Sequence, residues 1–223
     1  VLLRCYPHRL ELYVDGKLCD EEWPYGENEL AGSALADGRE PKITGFTEPE
    51  RKEPPEVLGS FTGAEGWMPG GGVFVGDCMP YSFGGRYHVL YLYDRHHHRS
   101  KWHRGAHQWA HISSADLEHW VIHPMAVEID DPWEASICTG SWFYTGKEHA
   151  LYYTVRTMDG SPAPIRRSVS ADGFHFKKDK SFSFTLSERY NRASARDPKV
   201  VKSVDGLFHM FVTTTDKKIG RGC

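Results

Sequence analysis

From residue 87 onward the apolar positions gather in short runs rich in aromatic and β-branched side chains: "YHVLYLYD" (87–94), "SWFYTG" (141–146), "HALYYTVR" (149–156), "FHFKK" (174–178) and "GLFHMFVTTT" (206–215). Gly, Asp or Ser bounds each run, and this combination predicts strands separated by tight turns. No segment sustains the 3.6-residue period of an amphipathic helix, so the pattern predicts an all-β fold: a sandwich, a barrel or a propeller. A recurring unit separates these options. "HISSADLEHW" (111–120) and "SVSADGFHF" (168–176) share the order Ser, any residue, Asp, three residues, aromatic. Their spacing of about 55 residues is what propeller blades produce, because each blade is one four-stranded sheet with tight hairpins.

The first part of the chain is patterned differently. "HRLELYVDGKLCDEEWPYGE" (8–27) predicts a hairpin about a Val-Asp-Gly-Lys turn, and "DGREPKITGFTEPERKEPPEV" (37–57) is charged and Pro-rich. The hairpin is similar to an edge of the concanavalin-like sandwich. Residues 1–58 are therefore expected to be the end of an accessory β-sandwich-like domain plus a linker, and residues 59–223 the N-terminal part of the propeller.

Composition adds limits. The chain has 223 residues and a formal net charge of −3, which gives no general pull toward nucleic acid or anionic membrane. No run approaches the roughly 18 apolar residues of a membrane-spanning helix, and "VLLRC" at the start lacks the features of a signal peptide. Five cysteines occur without a Cys-x-x-Cys spacing, so buried free thiols are expected and a structural zinc site is not. Six of the thirteen histidines fall in "DRHHHRSKWHRGAHQWAH" (94–111). His103, His107 and His111 recur at intervals of four, but Gly105 opposes a helix and no Glu sits inside the spacing, so this segment is expected to be a solvated loop at a pocket rim, with no metal bound. "PGGGVFVG" (69–76) lacks the Gly-Lys-Ser/Thr ending of a phosphate loop and is expected to be a flexible lead-in. No Gly-x-Ser-x-Gly elbow is present, and nothing calls for a cofactor.

Two carboxylates remain. Asp77, beside Gly76, is expected in a short turn ahead of an aromatic strand. Asp197 stands between Arg196 and Pro198, and the proline predicts an extended backbone there; Arg196 and Asp197 read either as a structural ion pair or as a clamp for sugar hydroxyls.

Four stretches follow one another in order: "WMPGGGVFVGDCMPYSFGGRYHVLYLYD" (67–94), "HQWAHISSADLEHWVIHPMAV" (107–127), "ICTGSWF" (137–143) and "ARDPKV" (195–200). As an ordered set they resemble glycoside hydrolase family 32, the β-fructosidase and invertase group, over residues 67–223. That family has a Trp-Met-Asn-Asp-Pro-Asn-Gly segment before a Tyr-His-x-x-Tyr strand, then "HWGHAxSxDLxHW", a Ser-Gly-Ser strand and Arg-Asp-Pro. The resemblance implies a five-bladed propeller whose axial funnel holds three acidic groups, with about three blades within this chain. It implies that Asp77 is the nucleophile, that Asp197 with Arg196 holds ring hydroxyls, and that an acid/base Glu lies beyond residue 223, since no Glu follows Glu188. Trp67, Trp102 and Trp109 are then expected to stack on sugar faces, and Ser141 to bind substrate.

The activity so implied is retaining cleavage of a terminal, fructoside-like furanoside from an oligo- or polysaccharide, with carbohydrate as the partner and neither nucleic acid nor membrane. Gly76, Cys78-Met79-Pro80 and Leu92 depart from the family pattern, which has Asn, Pro-Asn-Gly and Gln there. A carbohydrate-binding propeller without catalysis is the alternative reading; an interaction propeller using the basic loop 95–104 is a third.

Overall fold

The computed structural model of the chain describes residues 1–5, 10–15, 17–22, 57–60, 74–94 and 107–223. Trp67, Trp102, the Pro-rich stretch and the basic loop 95–104 lie outside the described residues. Strands β1 (Leu2–Cys5), β2 (Leu10–Val14) and β3 (Lys17–Glu22) form an antiparallel three-stranded sheet. Its β2–β3 turn is the expected one, with Asp15 at a φ of 51°.

The next strands are β4 (Val57–Ser60), β5 (Phe74–Phe83), β6 (Arg86–Asp94), β7 (Gln108–Ser114) and β8 (His119–Val127). They form one antiparallel sheet in the order β4-β8-β7-β6-β5. β4 straddles the boundary expected near residue 58 and adds an outer strand to this first blade. A second blade follows as β9 (Glu134–Tyr144), β10 (His149–Thr157), β11 (Ile165–Ser170) and β12 (Lys177–Phe184), ordered β12-β11-β10-β9. After a 3-10 turn (Arg192–Ser194), β13 (Arg196–Lys202) and β14 (Phe208–Thr213) pair to open a third sheet, and β15 (Thr215–Asp216) pairs with β16 (Arg221–Gly222). The described residues thus supply two complete blades and two strands of another, somewhat less than the three blades expected. Among them no helix is long and apolar enough to cross a membrane.

Packing explains why the strands read as near-continuous apolar runs. β5 packs on β9 and β9 on β13, so the second blade is covered on both faces. On β10, Leu151, Tyr153 and Val155 join Leu90, Leu92, Trp109 and Trp142 in the core between the first two blades. The alternate residues Ala150 and Tyr152 face Val200 and Met210 on the other side. A strand buried on both faces loses the apolar–polar alternation of a half-exposed one.

The repeated Ser-x-Asp unit is one turn built twice, once between β7 and β8 and once between β11 and β12. Ser114 donates to Asp116 Oδ1 (3.0 Å), which accepts the backbone N–H of Glu118 and of His119, and His119 Nδ1 lies 2.7 Å from Asp116 Oδ2. Ser170, Asp172, Phe174 and His175 repeat this set, again with 2.7 Å between His175 Nδ1 and Asp172 Oδ2. Leu117 and Gly173 occupy the same position at φ of 69° and 78°.

Three expectations change. The strand expected over 174–178 is mostly this turn, because Asp172 holds the N–H groups that would enter the ladder; β12 starts at Lys177. The segment taken as a loop at 94–111 begins β7 at Gln108, whose residues are all buried. Of the cysteines, Cys78, Cys138 and Cys223 are free, but Cys78 and Cys223 are exposed.

Gly140 is the most closely enclosed glycine among the described residues. A Cβ built there would lie 1.9 Å from the Tyr152 carbonyl oxygen and 2.9 Å from the Tyr153 Cα, backbone atoms that cannot swing aside. Gly140→Ala is therefore expected to destabilise the protein by about 3 kcal/mol, the upper range for overpacking, as measured by urea unfolding; an unchanged midpoint would show that β9 and β10 can part there without cost.

Candidate active site

The first strand of each blade carries one extra residue at a matching stage. On β5, Val75 pairs with Tyr93 but Cys78 with Tyr91. On β9, Ile137 pairs with Val155 but Gly140 with Tyr153. On β13, Arg196 pairs with Thr213 but Lys199 with Phe211. Such bulges bend a strand and re-aim its side chains. Here they turn Asp77, then Cys138 and Thr139, then Arg196 and Asp197 into the wall of one cavity of about 440 Å³.

Asp77 is in a strand rather than the expected turn. Gly76 and Pro80 hide β5 from a strand reading; Pro80 is tolerated because β5 ends its sheet. The Asp77 carboxylate is exposed, and Thr139 on β9 donates its hydroxyl to Oδ2 at 2.5 Å. Leu92 shares the cavity wall, and a Cβ at Gly76 would lie 3.1 Å from the Leu92 Cβ.

Asp197 departs from the extended backbone that Pro198 predicts: its φ is 56°. A non-glycine residue in that region is strained, and strain of this kind is held by surrounding contacts. The contact here is Ser141, buried on β9, whose Oγ donates to the Pro198 carbonyl at 2.7 Å and accepts the Val200 N–H at 3.4 Å. Burial raises the Asp197 carboxyl above the ordinary carboxylate range; the Arg196 guanidinium, with Nε 3.4 Å from Oδ2, opposes this, and the negative charge of Asp77 adds to it.

Of the residues singled out in the sequence, the structure brings together Asp77, Arg196 and Asp197. Ser141 is not in the cavity wall: its hydroxyl is engaged by β13. Trp109 is a correction. Its ring is fully buried in the inter-blade core, edge-on to Tyr153, and its indole N–H donates to the Cys138 carbonyl at 3.1 Å, so it presents no face to a sugar. Sequence reasoning missed Thr139, Arg156 and Thr154, which also line the cavity, as does His107, read there only as part of a rim loop. Only the position of Thr139, one residue before the Gly-Ser pair, was a usable signal. His107 Nε2 lies 3.4 Å from the buried Asp94, and the Thr154 hydroxyl is buried.

These antiparallel blades, with carboxylates on their first strands, are those of a propeller with a polar cavity on its inner strands. The family model "Glycosyl hydrolases family 32 N-terminal domain" matches residues 77–222, and the chain belongs to this family. It is 31% identical over 166 residues to a sucrose-6-phosphate hydrolase of Zymomonas mobilis, covering 70% of this chain and 30% of that protein. A sucrose-6-phosphate hydrolase of Escherichia coli is 31% identical over 150 residues, 63% of this chain and 28% of that one. The chain thus spans about 30% of the length of these relatives. Among solved structures, fructan 1-exohydrolase IIa from Cichorium intybus superposes with a TM-score of 0.54 at 20% identity, covering 71% of this chain and 29% of that one. Sucrose-6-phosphate hydrolase from Lactobacillus gasseri does so with a TM-score of 0.54 at 21% identity, covering 66% and 30%. These neighbours are five-bladed β-propellers, and the likeness shows that fold here.

Two outcomes test the geometry. Ser141→Ala leaves the Pro198 carbonyl without its buried donor and is expected to cost about 1–3 kcal/mol in urea unfolding; no loss would mean that the bond does not anchor β13. Arg196→Gln removes the group that favours ionised Asp197, so the Asp197 carboxyl should titrate at higher pH than in the wild type, read by carboxyl-carbon NMR. A midpoint that stays or falls would assign the shift to something other than the Arg196 charge.

Proposed function

We propose that the protein is a glycoside hydrolase that removes a terminal furanoside, fructoside-like, by a retaining double displacement. The observation that carries the reading is that Asp77 and Asp197, far apart in sequence, stand in equivalent bulges on the wall of one sugar-sized cavity. The family match over residues 77–222 supports it, as do the sucrose-6-phosphate hydrolases among the relatives.

In the first step an Asp77 carboxylate oxygen attacks the anomeric carbon, the glycosidic C–O bond breaks, and the leaving oxygen takes a proton from a third carboxyl group. In the second, the same group takes a proton from water as its oxygen attacks the anomeric carbon, and Asp77 is released as carboxylate. The hydrogen bond from Thr139 orients Asp77. Asp197 accepts hydrogen bonds from ring hydroxyls and stabilises the positive charge that develops on the sugar, with Arg196 keeping it ionised. Among the described residues the carboxyls of the cavity wall are Asp77 and Asp197, so the proposal places the acid elsewhere in the full protein, about 5–5.5 Å from the nucleophile as retention requires.

A fluorinated or epoxide-bearing furanoside should add one sugar mass to the Asp77 peptide of the full protein, and Asp77→Ala should abolish labelling and turnover while sugar binding survives in part. Labelling on another residue, or turnover in the alanine variant, would remove Asp77 from the role. Sugar binding without labelling or turnover in the wild type would favour the binding-only propeller instead.

A further inference from the structure

We propose that His88, His111 and His123 form a binding site for one divalent transition-metal ion of the zinc, nickel or copper class, separate from the carboxylate cavity. The three come from adjacent strands of the first blade. His111 on β7 pairs directly with His123 on β8, and His88 on β6 lies two positions before Leu90, the partner of His111, so all three project to the same face. Each offers one ring nitrogen, and the three nitrogens lie within 4.8 Å of one another.

Two observations point to a ligand. His88 Nδ1 and His111 Nε2 are 2.9 Å apart and share a proton, while the outer nitrogens, His88 Nε2 and His111 Nδ1, are buried without a hydrogen-bond partner. Whichever tautomer is taken, one outer nitrogen is a bare lone pair with no donor facing it; the ion itself would take the place of the shared proton between the inner nitrogens. The surroundings also keep the imidazoles in their ligating form. Phe83 stacks on His88 at 4.2 Å, Phe174 lies 4.8 Å from His123, and Trp142 meets His88 and His111 edge-on. Neutral imidazole is the form that ligates a metal, and an apolar box of this kind disfavours the charged ring.

The charges nearby are divided. Arg86 opposes a cation, but its guanidinium is engaged by the Ser113 hydroxyl (2.9 Å) and carbonyl (3.2 Å), with Ser113 Oγ 2.7 Å from His123 Nε2. From the β11–β12 turn, His175 adds to the positive side, whereas Asp172 bears on His111 and on the neighbouring His149 with the opposite sign. Three neutral imidazoles without carboxylate or thiolate favour zinc, nickel or copper over magnesium or calcium. Metal–nitrogen bonds of about 2.0–2.1 Å would part His88 Nδ1 and His111 Nε2 slightly from their 2.9 Å contact and cross-link β6, β7 and β8. None of the three lines the Asp77 cavity, so the site does not depend on the proposed hydrolysis. It departs from the sequence expectation of no metal, which was argued on His103, His107 and His111.

The test is calorimetric titration of the chelator-treated full protein with Zn²⁺, and with Co²⁺ for its absorption spectrum. Expected are one saturable equivalent, visible Co²⁺ bands of a low-coordinate nitrogen site, and a Tm raised by several degrees with Zn²⁺. His123→Gln, at the most exposed of the three ligands, should keep the fold by circular dichroism and weaken Zn²⁺ binding at least tenfold, whereas His119→Gln should bind as the wild type does. Absence of a saturable equivalent in the wild type overturns the proposal. So does unchanged affinity in His123→Gln, or loss of binding on replacing His96, His97 and His98 with alanine, which would place the ion on that run instead.

Discussion

Strand β9 has no room for a side chain at Gly140, because the backbone of β10 passes where a Cβ would be. Close packing at that point holds its two neighbours in fixed positions, and both are used. Thr139 reaches β5 and holds the Asp77 carboxylate, while Ser141 reaches β13 and holds the carbonyl that follows Asp197. The Gly140 N–H itself meets the Met79 sulfur on β5 at 3.4 Å. Three consecutive residues of one strand thus set the relation between carboxylates that belong to different sheets. A cavity built across blades needs such a tie, since the hydrogen-bond ladders act only within each sheet.

The bulges supply the other half of the geometry. A regular strand alternates its side chains between two blade faces, and on β9 both are largely taken up by core. An extra residue frees one or two side chains from that alternation and points them along the remaining direction, into the cavity. The cost is visible at Asp197, which holds a left-handed φ next to a proline. Its raised carboxyl pKa, from burial and the charge of Asp77 against that of Arg196, belongs to the same crowding. In the proposed reaction this is useful, because a partly desolvated carboxylate interacts more strongly with developing positive charge than a solvated one does.

The first blade contains two polar environments with opposite characters. The Asp77 cavity is open and lined by charged side chains. The imidazole cluster lies on the covered face of the same sheet, boxed by Phe83, Trp142 and Phe174, and is neutral because charge is costly there. Phe174 reaches that box from the repeated Asp-centred turn of the second blade. The turn therefore closes a hairpin and also presents an aromatic ring to the seam between blades.

What the sequence determined by itself is what depends on local chemistry. Apolar runs bounded by turn residues marked the strands at 87–94, 141–146 and 149–156, and the Ser-x-Asp unit marked the blade period, because its hydrogen bonds lie within a few residues of one another. Local chemistry alone read Asp77 as a turn residue and Arg196 with Asp197 as an ion pair or a clamp; the resemblance of the ordered set of stretches to a family is what singled them out. The tertiary structure decided the rest. β5 was unreadable because its glycine and proline are tolerated only at a sheet end, and a tryptophan in a motif carries no mark of whether Trp109 faces a sugar or the core. The partnership of Thr139 with Asp77, the anchoring of β13 by Ser141 and the meeting of His88, His111 and His123 join residues from different strands or blades. Such contacts are set by register, bulges and the close approach at Gly140, and those arise only when whole sheets pack against each other.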